Sequence, residues 1–348
     1  MKSLTLPLVI VSLLLPSVAL AQDAEEETAF IIGSETLKEE KKDSIDWRLI
    51  SGATFTLQDN KNVVGQQDGT AVTFGFKLDT GVDVRDGDHE WRNSLGIQAG
   101  LTRTPAVDRF VKSQDVLDLE SIYLYHITDW FGAFARVAYN TTMFRGADVR
   151  AEPTNYLITQ LDGTTSNVNG VTTLNLTDPF LPSRFRESLG LFLQPYAKEI
   201  LSVETRLGGG ARQTLANGQL AIVPDDEATP EVDVKELDDV FQVGAEVAVE
   251  LWGSFQEKKI TYRVAAEAMT PFYNNAPDSD DKSTFELTNF NARASLSVKL
   301  VEWASLDYEF GAIYEPQLVD TVQIRNNLLL TFAFATGSPD EEEEAPAE

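Results

Sequence analysis

The sequence predicts an all-β chain, an antiparallel transmembrane β-barrel of about 12 strands. Three observations carry that prediction. The first residues read as an export signal. No later stretch offers the roughly 18 consecutive apolar residues that a spanning helix needs, so a membrane crossing would have to be made by strands. Apolar and polar residues also alternate with period two, over segments longer than the roughly 5 to 6 residues usual in a soluble sandwich.

The first element is the export segment. Lys2 precedes an apolar run from Leu4 to Leu15, and Ala19-Leu20-Ala21 stands before Gln22. That order of positive charge, apolar stretch and small-x-small site reads as a cleavable secretory signal, with cleavage expected after Ala21. Pro7 within the run and Pro16 just after it weigh against an uncleaved anchor helix. The expected organisation is a signal peptide over 1–21, a periplasmic N-terminal segment over 22–46, a barrel over 47–335 and an acidic disordered periplasmic tail over 336–348.

Strands follow. Four have the cleanest alternation. Phe241, Val243, Ala245, Val247, Val249 and Leu251 stand against Gln242, Glu246 and Glu250. Phe131, Ala133, Ala135, Val137 and Tyr139 stand against Arg136 and Asn140; Ile260, Tyr262, Val264, Ala266 and Ala268 against Arg263 and Glu267. In the fourth, Ala304, Leu306, Tyr308, Phe310, Ala312 and Tyr314 stand against Asp307 and Glu309. Weaker strands start near Trp47, Ala71, Trp91, Ser113, Phe185, Ile200, Phe285 and Val322, giving about 12 in all.

Alternation alone fits either lipid outside a barrel or the core of a soluble exported sandwich. Aromatic residues near strand ends, such as Tyr123, Tyr125, Phe131, Tyr139, Tyr314, Phe332 and Phe334, match interfacial girdles and favour the barrel. Loop lengths agree with it. Turns after even-numbered strands are tight, near Thr128-Asp129, Ala197-Lys198-Glu199 and Val301-Glu302, whereas Gly146 to Ser183 and Ala216 to Asp239 are long. Short periplasmic turns and long outer loops would place both termini in the periplasm. Within the first long loop, Tyr156 to Gln160 and Val171 to Leu176 alternate again. Either they form an extra hairpin above the membrane, or they are barrel strands and the count is about 14.

Charge bounds the partners. The formal net charge is -27, from 28 basic and 55 acidic residues, which argues against nucleic acid held by phosphate contacts. There is no cysteine, so disulfides, thiolate chemistry and cysteine-bound zinc are excluded. The runs Asp225-Asp-Glu227 and Asp278-Ser-Asp-Asp281 could gather divalent cations but read first as solvated loops, and Glu341 to Glu344 reads as an acidic disordered tail. No cofactor is expected.

Several short motifs in the first half carry a family resemblance. They are Trp91-Arg-Asn93 with Gly96 and Gly100, Lys112-Ser-Gln-Asp115 running on to Glu120-Ser121, Asp129-Trp130-Phe131, and Asp178-Pro-Phe-Leu-Pro182 followed by Glu187-Ser-Leu-Gly190. This resembles an outer-membrane β-barrel family of unknown function, whose pattern is a Trp-x-Asn strand, a Lys-Thr/Ser-x-Asp segment and a Ser-x-Tyr strand. It covers roughly Asp46 to Gly210, and Arg136 to Phe144 departs from the family's usual Gln-containing strand. The resemblance implies a fold and a location; it carries over no catalytic residue.

Candidate functional residues are the charges on polar strand faces. Arg92, Asp118, Glu120, Arg136, Glu204, Arg206, Glu246, Glu250, Arg263, Glu267, Arg293, Asp307 and Glu309 would project into the lumen if the apolar face meets lipid. Both signs occur, so the set fits a polar channel that sorts solutes or a ladder of ion pairs that fills a narrow barrel. His89 and His126 are the only histidines and no nucleophile is marked by spacing near either, which disfavours a membrane-embedded hydrolase. The expected location is the outer membrane of a Gram-negative bacterium, among lipid and lipopolysaccharide. The expected activity is a passive channel for small hydrophilic solutes, and the alternative is a non-conducting structural or loop-mediated binding barrel. The oligomeric state is not legible.

Overall fold

A sheet that alternates over this many strands leaves two bare edges unless it closes on itself. The computed structural model describes residues 43–60, 69–107, 109–223, 230–256, 258–275 and 282–337, and in it the sheet closes. The predicted signal peptide, the two acidic loop runs and all of the predicted tail beyond Gly337 lie outside the described residues, while Thr336 and Gly337, expected in the tail, belong to the last strand.

The barrel strands are β1 (Asp43–Asn60), β2 (Gly69–Asp86), β3 (His89–Arg103), β4 (Val111–Thr128), β5 (Phe131–Thr141), β8 (Ser183–Lys198), β9 (Leu201–Leu215), β12 (Val240–Phe255), β13 (Ile260–Asn274), β14 (Asn289–Val301), β15 (Ala304–Glu315) and β16 (Val319–Gly337). They form one antiparallel ring of twelve, closed where β1 meets β16, as the alternation predicts. β1 begins before Trp47, and β16 runs two residues past Ala335.

The remaining strands are β6 (Gly146–Thr159), β7 (Thr165–Thr177), β10 (Leu220–Ile222) and β11 (Val232–Glu236). They form a separate four-stranded sheet in the order β10-β11-β6-β7, with β11 and β6 parallel. This corrects the 14-strand alternative: the alternating stretches around Tyr156 and Val171 pair with each other and with β11, not with the barrel.

Turns at one end of the ring are tight. Gly87-Asp88 joins β2 to β3 in two residues, with Gly87 at φ 57°, the left-handed conformation that the first position of a type II′ turn requires. Asp129-Trp130, Glu199-Ile200 and Glu302-Trp303 are equally short, each about one residue beyond the position expected from sequence. The start of β1 and the end of β16 lie at this same end, because Arg48 faces Gly337 and Asp43 faces Asp86 beside the first tight turn.

The exterior wall is apolar. Trp47, Phe55, Phe74, Trp91, Leu101, Leu189, Leu207, Val264 and Leu328 are all exposed on it. The interior is mostly polar and charged among the described residues, and it holds an apolar patch. Ile122 and Leu124 of β4, Phe134 of β5 and Phe192 of β8 form a buried cluster near the tight-turn end.

Candidate functional site: a filled interior and the sheet over its mouth

The interior is built from inward positions on nearly every strand, and its contacts cross the ring. Arg136 on β5 donates from Nε to Glu120 Oε2 at 2.8 Å on neighbouring β4, and from Nη1 to Glu267 Oε2 at 2.7 Å on β13, four strands away. Its guanidinium also lies 4.0 Å from Glu246. Arg92 on β3 donates to Glu204 Oε2 on β9 at 2.8 Å, again four strands away. Arg293 on β14 and Asp118 on β4, on opposite sides of the ring, approach to 4.0 Å.

That last contact constrains the barrel's shape. A circular ring of twelve strands about 4.8 Å apart, tilted by about 40°, would be about 24 Å across. An arginine and an aspartate side chain together reach roughly 10 Å from their backbones. The wall is therefore drawn inward between β4 and β14, and the section is oval.

The other predicted charges stand in further pairs and small clusters on the same wall. Glu204 is 1 % exposed and lies 3.6 Å from Arg206, which stands 3.7 Å from Glu250. Arg263 pairs with Glu250. Asp307 accepts hydrogen bonds from Ser297 and Ser305, and Glu309 accepts one from Lys77 Nζ at 2.9 Å. The structure thus brings all thirteen sequence-predicted residues to the interior wall.

Sequence reading missed several members. Lys77 and Asp79 of β2 stand 3.7 Å apart beside Glu309. Glu90 of β3 binds Arg85, Arg92 and His126 at once. Arg184 of β8 reaches Glu315 of β15 at 3.5 Å, and Arg212 of β9 binds Glu267. Extending the alternation of Leu189 and Leu191 back along β8 would have marked Arg184 and Arg186 as inward. The two histidines are held by partners other than Ser or Thr hydroxyls. His126 Nε2 meets Glu90 Oε2 at 2.8 Å, and His89 Nδ1 meets the Tyr123 hydroxyl.

The cavity lined by Glu120, Arg136, Arg206, Arg263, Glu267 and Arg293 is about 60 Å³, room for a few waters. Breaking such pairs is expensive, since removing one partner leaves a desolvated charge behind.

The four-stranded sheet covers the long-loop end. Its own core is Tyr156, Leu174, Leu176 and Val234, and Tyr156 is fully buried. The Tyr156 hydroxyl donates to Asp148 Oδ2 at 2.9 Å, and Arg150 donates to the same oxygen. Burial, with that hydrogen bond and the carboxylate's charge, pushes the Tyr156 phenol up to about 12.

Contacts tie the sheet to both sides of the mouth. Arg109, from the β3–β4 loop, donates to Thr172 O on β7. Ala216, Ala221, Leu237 and Val240, around β10 and β11, form a buried cluster with Leu318 of the β15–β16 turn.

The motifs that carry the family resemblance prove to be fastenings. Asp115 accepts the backbone N–H groups of Met143 and Phe144, each at 2.8 Å, and takes Lys112 Nζ at 2.8 Å. Within Asp178 to Pro182, Leu181 and Pro182 carbonyls accept from Thr142 and Thr141, and the Asp178 N–H donates to Gln219. These bonds fix where the sheet leaves and re-enters the barrel. On the exterior, Asn93 faces Ser121 and Trp91 faces Tyr123. The Trp91 indole donates to Ser121 Oγ at 2.7 Å, and Ser121 donates to Asn93 Oδ1 at 2.9 Å, so the Trp-x-Asn and Ser-x-Tyr motifs meet across β3 and β4.

Residues 64–146 match the family described as Protein of unknown function (DUF3078). No curated protein matches the chain. Among solved structures, the COG4313 outer membrane channel from Pseudomonas putida F1 is similar at 11% identity and a TM-score of 0.36, covering 87% of this chain and 100% of its own. The translocator domain of autotransporter NalP from Neisseria meningitidis is similar at 10% identity and a TM-score of 0.33, covering 85% of this chain and 87% of its own.

Proposed function

We propose that the chain is an outer-membrane β-barrel of a Gram-negative bacterium that does not conduct solutes and that presents the four-stranded sheet at the cell surface. The membrane part rests on the exterior wall. Trp91 and Leu101, both exposed, bracket an outward face of eleven residues, ten residue steps, on β3. At the usual rise and tilt this is about 25 Å, the height of an outer-membrane apolar belt. The same orientation puts the tight turns and both ends of the described barrel in the periplasm.

The single observation that carries the non-conducting part is the set of cross-ring pairs, Arg136 to Glu267, Arg92 to Glu204 and Arg293 to Asp118. A passive channel for small hydrophilic solutes, the activity first expected from the mixed lumen charges, needs a continuous wet path that these pairs interrupt. The reading makes the barrel a non-enzymatic scaffold surrounded by lipid and lipopolysaccharide, delivered through a signal peptide cleaved after Ala21. Liposomes carrying the purified protein should not swell in isotonic sugar solutions. Swelling at a rate proportional to protein content would remove the non-conducting part and restore the channel.

A further inference from the structure

The ring does not close equally well everywhere. β1 and β16 are hydrogen-bonded over six residue pairs, from Arg48↔Gly337 to Ala53↔Phe332. Each of the other eleven barrel pairings runs over ten pairs or more. Beyond Ala53, residues 54–60 of β1 pair on their other side with β2, and residues 323–331 of β16, with Val319, pair with β15. Their edges toward each other carry no ladder.

This stretch begins inside the apolar belt. Phe55 packs against Phe74, and Phe74 against Phe110, with tilted rings at centroid distances of 5.1 and 5.9 Å, and these rings lie toward the long-loop edge of the exterior wall. Phe55 of β1 and Leu328 and Leu330 of β16, flanking the gap, are exposed and point outward. On the inside, Thr331 is buried and its hydroxyl has no hydrogen-bond partner. Behind the gap, one strand back on either side, Lys77 of β2 reaches Glu309 of β15 and so clasps the ring across both seam strands.

We propose that the open upper part of the β1–β16 seam is a docking site for an extended polypeptide strand, which would continue the six-pair ladder along the bare edge of β16. The proposal rests on the outer-membrane reading. Backbone N–H and C=O groups facing hydrocarbon need a hydrogen-bonding partner, and an alkyl chain cannot supply one. A strand can, and strand addition to a free edge is a general mode of peptide recognition. The flanking residues set its chemistry: apolar side chains at the outward positions and small or polar ones facing Thr331.

The test uses the protein in detergent, and the absence of native cysteine makes it clean. The probe is a synthetic peptide with the sequence of residues 53–60, whose register would place Phe55 opposite Leu330. The peptide should bind wild type. Binding should fall at least tenfold once Phe55→Cys/Leu330→Cys is oxidised to lock the gap, and should be kept by oxidised Ala53→Cys/Phe332→Cys, which lies inside the ladder. Spontaneous oxidation of the first pair should be at least tenfold slower than that of the second. Equal oxidation rates, equal peptide binding by both locked variants, or no binding by wild type would each overturn the proposal. Loss of wild-type binding on transfer from detergent to phospholipid nanodiscs would assign the gap to acyl chains and overturn it too. Should a cysteine pair fail to fold, peptide binding by wild type still decides. None of these readouts depends on whether the barrel conducts.

Discussion

Arg293 and Asp118 lie 4.0 Å apart although β14 and β4 are six strands from each other in either direction around a ring of twelve. A contact between diametrically placed strands can be made only through the middle of the barrel. It therefore reports both an oval section and an interior bridged by side chains. The shorter crossings from Arg136 and Arg92 surround it, so the filling is a network and not a single bar.

Glu267 is the junction of that network, because it accepts hydrogen bonds from both Arg136 and Arg212. Glu267→Gln keeps the size and removes the charge, leaving two buried guanidiniums short of a partner. Loss of one member of a buried pair costs about 3 kcal/mol. The variant should unfold at a distinctly lower denaturant concentration, followed by the heat-dependent mobility shift on a gel. An unchanged midpoint would mean that water already screens these charges.

Lys77 and Glu309 offer a cleaner test of pairing across the seam. Lys77→Glu alone and Glu309→Lys alone should each destabilise the barrel by about 3 kcal/mol or more. The double exchange should recover at least half of that loss. Additive losses in the double variant would show that the two side chains do not act on each other.

The role assigned to Asp115 is local. Its carboxylate holds the N–H groups of Met143 and Phe144 where the chain leaves β5, so Asp115→Ala should release the base of the surface sheet and leave the ring intact. Hydrogen bonds to a charged acceptor are worth about 1.5 to 3 kcal/mol each. Limited proteolysis should cut residues 142–182 at least tenfold faster in the variant, with the heat-dependent gel shift retained. Equal cutting rates would remove Asp115 from this role.

Tyr156 makes the surface sheet sensitive to alkali. Its phenol is raised to about 12 in the folded sheet, from an ordinary value near 10, by burial and the hydrogen bond to Asp148. A raised folded value stabilises the protonated form. That contribution is complete below about pH 10 and is lost as pH rises from about 10 through 12. Proteolysis of the sheet should accelerate over that interval in wild type, and Tyr156→Phe should flatten the response.

Which parts of this were legible in the sequence follows from where the signals are local. Alternation in Phe241 to Leu251 or Ala304 to Tyr314 is a property of a single strand, so the twelve strands and the inward charges on the clean ones could be read directly. On β8 the outward position Glu187, facing Val137 and Ala211, interrupts the apolar face and hides Arg184 and Arg186. On β2 the outward residues Phe74, Phe76 and Leu78 alternate, but Gly75 and Gly81 share the inward face with Lys77 and Asp79 and weaken the contrast between the two faces. The parallel pairing of β11 with β6 joins segments more than 70 residues apart, and nothing local in Val232 to Lys235 announces it. The crossings themselves depend on the oval section, a property of the assembled ring.

The most direct test of the closed interior is single-channel recording in planar bilayers of the wild type beside Arg136→Ala/Arg293→Ala. Removing these two side chains deletes crossings to Glu267 and Asp118 while leaving the wall strands unchanged. A silent wild type with stepwise, ohmic conductance in the double variant is the expected result. Steady conductance from the wild type, equal to that of the variant, would contradict a lumen closed by these pairs.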